Sequence, residues 1–252
     1  MVIQDEKLSQ VKNRIWFYEF DLPDGTSTIT DVPPYILPIH VSRRDKMRHI
    51  IERYVPDAAS LTAYDFASHE GYYSVELARH FKSVLGFEIK PESLEAARLI
   101  TAVLKVPNVE YRQADLQTMR YDPSIMADFV LLYGLIYHLE NPIHTLRLAS
   151  QMTRTHILIE TQIFPYDISG LIEDGAFNNQ RRLEGVFGLA PDYAWGREGG
   201  STDIALIPSL NALLFLMRGF GFITIEVLAS TPTDYEQFTR ASRVVIYGRK
   251  AG

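Results

Sequence analysis

The 252-residue chain has no cysteine, so it can form neither disulfides nor thiolate metal sites. It has no excess of positive charge: Lys and Arg number 25 against 31 Asp and Glu, a formal net charge of -6. Without a basic footprint nucleic acid is disfavoured as a partner, although a local patch can hide inside an acidic total, and small molecules become the default ligands. Long hydrophobic runs are missing too. The longest, FVLLYGLIY, is far below the ~20 residues that a membrane helix needs. The N-terminus, MVIQDEKLSQVKNR, carries mixed charges and no apolar secretory core. A soluble, cytoplasmic protein without membrane contact is expected. No set of His, Asp and Glu shows metal-ligand spacing, so no metal is expected either.

What the sequence does have is an apolar fraction of 46% and a regular alternation from residue 61 onward. Short runs rich in Val, Ile and aromatics alternate with helical periodicity, the pattern of βα units on a parallel sheet. LTAYDFA, SVLGFEI, VEYRQ, ADFVLLY and HILIET read as strands. Between them, Tyr73, Leu77 and Phe81 recur at helical spacing, PESLEAARLITAVL opens with Pro91 at a favoured first-turn position, and NPIHTLRLASQM follows the fourth strand. Residues 162–207 break the rhythm with Gly, Asn, Asp and Arg, and read as an insertion of loops with one short helix, a candidate lid. PSLNALLFLMRGFGF then reads as a helix, and FITIEVLA and SRVVIYGRK as an antiparallel closing pair. Residues 1–55 form a separate N-terminal layer, with a hairpin around Asp24-Gly25 and an amphipathic helix at RRDKMRHIIERY. The whole is expected to be a single α/β domain with a Rossmann-like, seven-stranded, mostly parallel sheet and helices on both faces.

The loop after the first strand, DFASHEGYYS, raises the functional question. Asp65-x-Ala67-x-His69-x-Gly71 resembles the acidic-x-Gly-x-Gly-x-Gly loop of class I S-adenosylmethionine-dependent methyltransferases. Glu88, 23 residues after Asp65 at the end of the second strand, matches that family's ribose-binding acid, and Asp115 in QADLQ its adenine-contacting acid. Open α/β sheets bind ligands outside the carboxyl ends of their strands, where all of these residues fall. A carboxylate after strand two can accept two ribose hydroxyls, and amides at the following helix start can bind the methionine carboxylate. Two glycines are replaced. His is one of the few side chains tolerated at positive φ, so His69 fits such a position, and Ala67 is harmless if its φ stays negative. A nicotinamide loop also has a downstream acid, but it leans on the early glycines this chain lacks.

LLYGLIYHLENPIHTL, PSLNALLFLMRGFGF and WFYEFDLPDG narrow the resemblance to the group containing the tRNA wobble-uridine (5-oxyacetyl-type) methyltransferases. The resemblance covers most of the chain, the insertion least. It implies S-adenosylmethionine as cofactor and S-adenosylhomocysteine as product. The carboxylated cofactor of the tRNA enzymes is disfavoured, because no basic residue could be placed to hold its extra carboxylate. The implied cofactor contacts are Asp65, Ala67, Ser68, His69, Gly71, Tyr72, Glu88, Ile89, Asp115, Leu116, Tyr133 and Gly134.

Tyr137 is carried over to the sulfonium end, and His138 to the substrate side as candidate general base, with His69 second. The plainer alternative for His138 is a backbone hydrogen bond. Tyr72, Tyr73, Tyr133 and Tyr137 could set ring faces near a sulfonium, or simply pack. Glu160, Asn178, Arg181 and Arg182 are the candidate substrate contacts, against a capping role for Glu160 and solvated loops for the others. The expected reaction is methyl transfer to a small molecule at oxygen. A tRNA-modifying enzyme and a non-catalytic interaction module stay open as alternatives, and so does a homo-oligomer.

Overall fold

The computed structural model describes residues 2–174, 179–194, 196–197 and 199–251. Its sheet is built from β1 (Thr62–Phe66), β2 (Ser83–Glu88), β3 (Val109–Gln113), β4 (Ala127–Tyr133), β5 (Thr153–Gln162), β6 (Phe222–Val227) and β7 (Arg243–Lys250). Their spatial order is β6-β7-β5-β4-β1-β2-β3. β2 pairs in parallel with both β1 and β3, whereas β7 lies antiparallel between β5 and β6. This is the expected seven-stranded Rossmann-like sheet with an antiparallel C-terminal pair. β4 is buried along nearly its whole length, which is why ADFVLLY carries no polar alternation.

The main helices are α1 (Val2–Lys12), α2 (Pro38–Tyr54), α3 (Tyr72–Leu77), α4 (Pro91–Val103), α5 (Pro142–Met152) and α6 (Leu210–Gly219). Local chemistry sets their starts. Asn141 accepts the His144 amide ahead of Pro142 in α5, and Ser209 accepts the Ala212 amide at α6.

The chain divides into two compact units. One comprises Met1–Leu116, Ala127–Leu131 and Thr233–Tyr235, the other Gln117–Met126, Leu132–Pro232 and Glu236–Gly252.

In the first unit the N-terminal layer is fastened by buried aromatics. Trp16 is fully buried and donates its indole N–H to the Val11 carbonyl, 2.8 Å away. The turn at Asp24-Gly25 forms, with Gly25 at φ 82° and a bridge between Asp21 and Ser27. In the second unit the insertion departs from expectation. It holds two antiparallel hairpins, Ser169–Asp174 with Asn179–Glu184 and Phe187–Pro191 with Ile204–Pro208, instead of loops and a helix. Each strand has only five or six residues, and Phe187 pairs with Pro208 across a long intervening segment, so no local window shows the period.

Candidate active site

In the first unit β1 delivers the chain into the Ala67–Gly71 loop. Ala67 (φ 61°), His69 (φ 49°) and Gly71 (φ 84°) all adopt left-handed backbone conformations. His69 meets the expectation. Ala67 corrects it, since its φ is positive and costs roughly 1–2 kcal/mol relative to a glycine. The loop is held by hydrogen bonds from Ser68 N to the Phe87 carbonyl (2.9 Å), Gly71 N to the Ser68 carbonyl (2.8 Å) and His69 N to Glu88 Oε2 (2.9 Å). Gly71 is needed for a second reason. A β-carbon there would strike the Tyr111 hydroxyl of β3, so the glycine serves sheet packing.

Glu88 is the loop's anchor. It is almost fully buried, and Oε1 accepts the Ile89 and Lys90 amides at 2.9 Å each while Oε2 accepts that of His69. Burial pushes its carboxyl pKa up, against the amides of Lys90, His69 and Ile89. A carboxylate offers about four acceptor sites, so one remains, on Oε2. The geometry suits one ligand hydroxyl on Glu88 rather than a two-oxygen contact. The Ala114 amide donates to the Glu88 carbonyl at 2.9 Å, which brings half-buried Asp115 to the same strand end, with Leu116 buried beside it. Ser68 Oγ is buried with no hydrogen-bond partner among the described residues. An orphan hydroxyl and an open carboxylate site fit a hydroxyl-rich ligand such as an adenosyl group.

Asp65 is 2% exposed and accepts the Ser74 hydroxyl at 2.6 Å. Burial raises its pKa to about 7, the Ser74 hydrogen bond opposing and the nearby Glu88 charge adding to the shift. A carboxyl raised above its unfolded value favours the folded state at low pH and loses that advantage as pH rises through about 7. Asp65→Asn is therefore expected to stabilise the ligand-free protein relative to wild type progressively more from pH 5 to pH 8. Urea midpoints at each pH give the measurement, and a gap that does not change with pH would refute the assignment.

The same loop meets the N-terminal layer. Glu70, which the sequence reading passed over, is 3% exposed and its Oε2 accepts the amides of Phe17 (2.7 Å) and Tyr18 (3.4 Å). Tyr72 stacks on Tyr18 at 4.8 Å, so one of its ring faces is already used. His69 meets Phe17 edge-on at 5.2 Å. The available signal was a second acid inside a ligand-type loop, one residue before Gly71.

In the second unit β4 ends at buried Tyr133 and Gly134 (φ 67°), followed by a helical turn, Ile136–His138. The Tyr137 and His138 rings lie 4.1 Å apart. Arg243, which sequence reasoning missed, lies over the Tyr137 ring at 4.7 Å and donates to its hydroxyl oxygen at 3.2 Å. Glu160 is completely buried. Its carboxylate takes the Arg243 guanidinium at 2.8 Å and the Gly134 amide at 3.0 Å, so it acts as a counter-ion within the protein. Arg181 and Arg182 are exposed on the first hairpin, Arg182 paired with Glu184 at 2.9 Å. Asn178 lies outside the described residues. Among the described residues no cluster of three or more His, Asp or Glu could hold a metal ion, and no helix is long and apolar enough to cross a membrane.

Known proteins share this fold and part of this sequence. Residues 64–156, which run from β1 into β5, match the family model described as a methyltransferase domain. The chain is 25% identical over 200 residues to a tRNA U34 carboxymethyltransferase of Desulfotalea psychrophila (strain LSv54 / DSM 12343), covering 77% of this chain and 55% of that protein. The chain spans about half the length of the curated relatives it matches. In structure it resembles the N-terminal domain of EvdMO1, crystallised with S-adenosylhomocysteine and D-fucose (TM-score 0.72, 23% identity, 99% of this chain and 96% of that one). It also resembles the magnesium protoporphyrin IX methyltransferase of Synechocystis PCC 6803 with bound S-adenosylmethionine (TM-score 0.56, 14% identity, 88% and 86%). A methyltransferase domain match over residues 64–156 thus lies on a Rossmann-like sheet of the kind seen in solved S-adenosylmethionine-dependent methyltransferases. The tRNA U34 carboxymethyltransferases that it matches in sequence are 24–25% identical to it.

Proposed function

We propose that the protein transfers the methyl group of S-adenosylmethionine to a hydroxyl of a small molecule. The observation that carries this reading is Glu88, a buried carboxylate gripped by three amides with one acceptor site left, inside the matched methyltransferase domain. When bound, the cofactor supplies a methyl carbon already activated by its sulfonium. Glu88 would accept a ribose hydroxyl and Asp115 the adenine amino group. Tyr137 accepts a hydrogen bond from Arg243, which leaves its own phenolic proton to donate elsewhere. His138 would take the proton of the acceptor hydroxyl, and in-line positioning can supply several kcal/mol more. The D-fucose in the EvdMO1 crystals makes a sugar a reasonable first acceptor class.

A second reading, a tRNA wobble-uridine enzyme, is favoured by the names of the curated relatives and disfavoured by the net charge of -6. Calorimetry with S-adenosylhomocysteine, followed by mass spectrometry of a panel of free sugars and other hydroxylated acceptors, tests the proposal. Binding and a mass gain of one methyl group are expected. A folded protein that gives neither heat nor thermal shift would be an interaction module instead. A salt-dependent gel shift with bulk tRNA, with methyl incorporation into it, would move the reading to RNA.

A further inference from the structure

We infer that Asp192 is a positioning residue that fixes the tautomer of His138, making Nε2 the atom that accepts the proton of the methyl acceptor. The inference deepens the proposed function and rests on it. Asp192 comes from the insertion, 54 residues beyond His138, and its Oδ1 lies 3.1 Å from His138 Nδ1. An ionised carboxylate can only accept hydrogen bonds, so Nδ1 must carry the proton and Nε2 the lone pair in the neutral ring. Asp192 is ionised at neutral pH. Partial burial works against its charge, but the Gly200 amide and His138 hold its carboxyl below its usual value.

The carboxylate is itself held in place. Its Oδ2 accepts the Gly200 amide at 2.8 Å, and its own amide donates to the Asp203 carbonyl at 2.8 Å. Gly200 has no room for a side chain, because a β-carbon would run into the His138 carbonyl oxygen. On the other side the Leu206 amide donates to the Leu139 carbonyl at 2.8 Å. The second hairpin thus grips the Tyr137–His138 turn from both ends, and the His138 and Asp192 side chains keep only 18% and 10% of their exposure. Among the described residues, Tyr137 lies beside the imidazole, Arg243, which is paired with Glu160, reaches the Tyr137 hydroxyl, and Glu140 follows two residues after His138 on the exposed side.

The chemistry balances. The acceptor oxygen forms a bond to the methyl carbon as the carbon–sulfur bond breaks, the sulfonium becoming a neutral thioether. The hydroxyl proton passes to Nε2, the resulting imidazolium is stabilised by Asp192, and the proton later leaves to water. An orienting carboxylate of this kind matters most when the acceptor must lose a proton, as a hydroxyl does.

Nitrogen-15 NMR of histidine-labelled protein tests this without knowledge of the acceptor. The His138 signal, identified by its disappearance in His138→Gln, is expected to show the Nδ1-protonated tautomer in wild type. In Asp192→Asn its titration midpoint is expected to fall by on the order of one unit. A wild-type ring protonated mainly on Nε2 would overturn the inference, as would an unmoved midpoint in a folded Asp192→Asn. Should that variant not fold, the wild-type tautomer alone decides. Calorimetry with S-adenosylhomocysteine on the same samples separates the two levels. Failure of wild type to bind would sink the methyltransferase reading, whereas retained binding with the wrong tautomer would sink only the role of Asp192.

Discussion

Glu88→Ala is expected to weaken S-adenosylhomocysteine binding at least tenfold and to destabilise the ligand-free protein by about 3 kcal/mol. The first effect is the loss of a charge-assisted hydrogen bond to a ligand hydroxyl, worth about 1.5 kcal/mol or more. The second arises because three amides, those of His69, Ile89 and Lys90, lose their acceptor together, and each buried N–H left unpaired costs about 1 kcal/mol or more. Glu88→Gln separates the two. Its carbonyl oxygen can keep the Ile89 and Lys90 amides, but its NH2 group would face the His69 N–H, so the Ala67–Gly71 loop should loosen while β2 stays anchored. Urea unfolding and calorimetric titration on both variants give the comparison. Lost stability with unchanged affinity would leave Glu88 a loop anchor and remove it from the ribose.

Much of the sheet was readable in the sequence because its strands are short runs rich in Val, Leu and aromatics bounded by turns, whether half-exposed at the edge, as β3 is, or buried, as β4 is. VEYRQ and ADFVLLY coincide with β3 and β4, and fixing those strands fixes where Asp115 and Tyr133 fall. Two kinds of feature stayed hidden. One is backbone strain: no side chain reveals that Ala67 turns left-handed, because the requirement comes from the Phe87 carbonyl and the Glu88 carboxylate that the loop must reach. The other is pairing at a distance. Arg243 looks like the polar flank of an apolar strand until β7 lies against β5, where Val245 is in register with Glu160. Asp192 sits in a stretch whose strands exist only because they pair with partners well separated in sequence, and nothing local marks it. Glu160 illustrates the same limit from the other side, since an acid near a strand end reads as a ligand contact until its counter-ion is seen.

That counter-ion carries the largest effect expected here. Arg243→Leu should cost about 3–5 kcal/mol of stability, because it takes the guanidinium counter-ion away from Glu160, a carboxylate with no exposed surface. Arg243 also donates to Gln237 Oε1 at 2.8 Å and to the Tyr137 hydroxyl, so its loss should free the Tyr137 ring as well. Removing both charges is a different matter. Buried ion pairs replaced together by apolar residues of similar volume are often neutral, since the desolvation penalty disappears with the attraction. Arg243→Leu combined with Glu160→Met is therefore expected to recover most of the stability while leaving Tyr137 unheld, which a double-mutant cycle in urea measures directly. Recovery of stability without recovery of methyl transfer would assign the pair to holding Tyr137. A double variant as unstable as Arg243→Leu alone would instead trace the loss to packing at position 243, and Glu160 would no longer count as the reason that arginine is there.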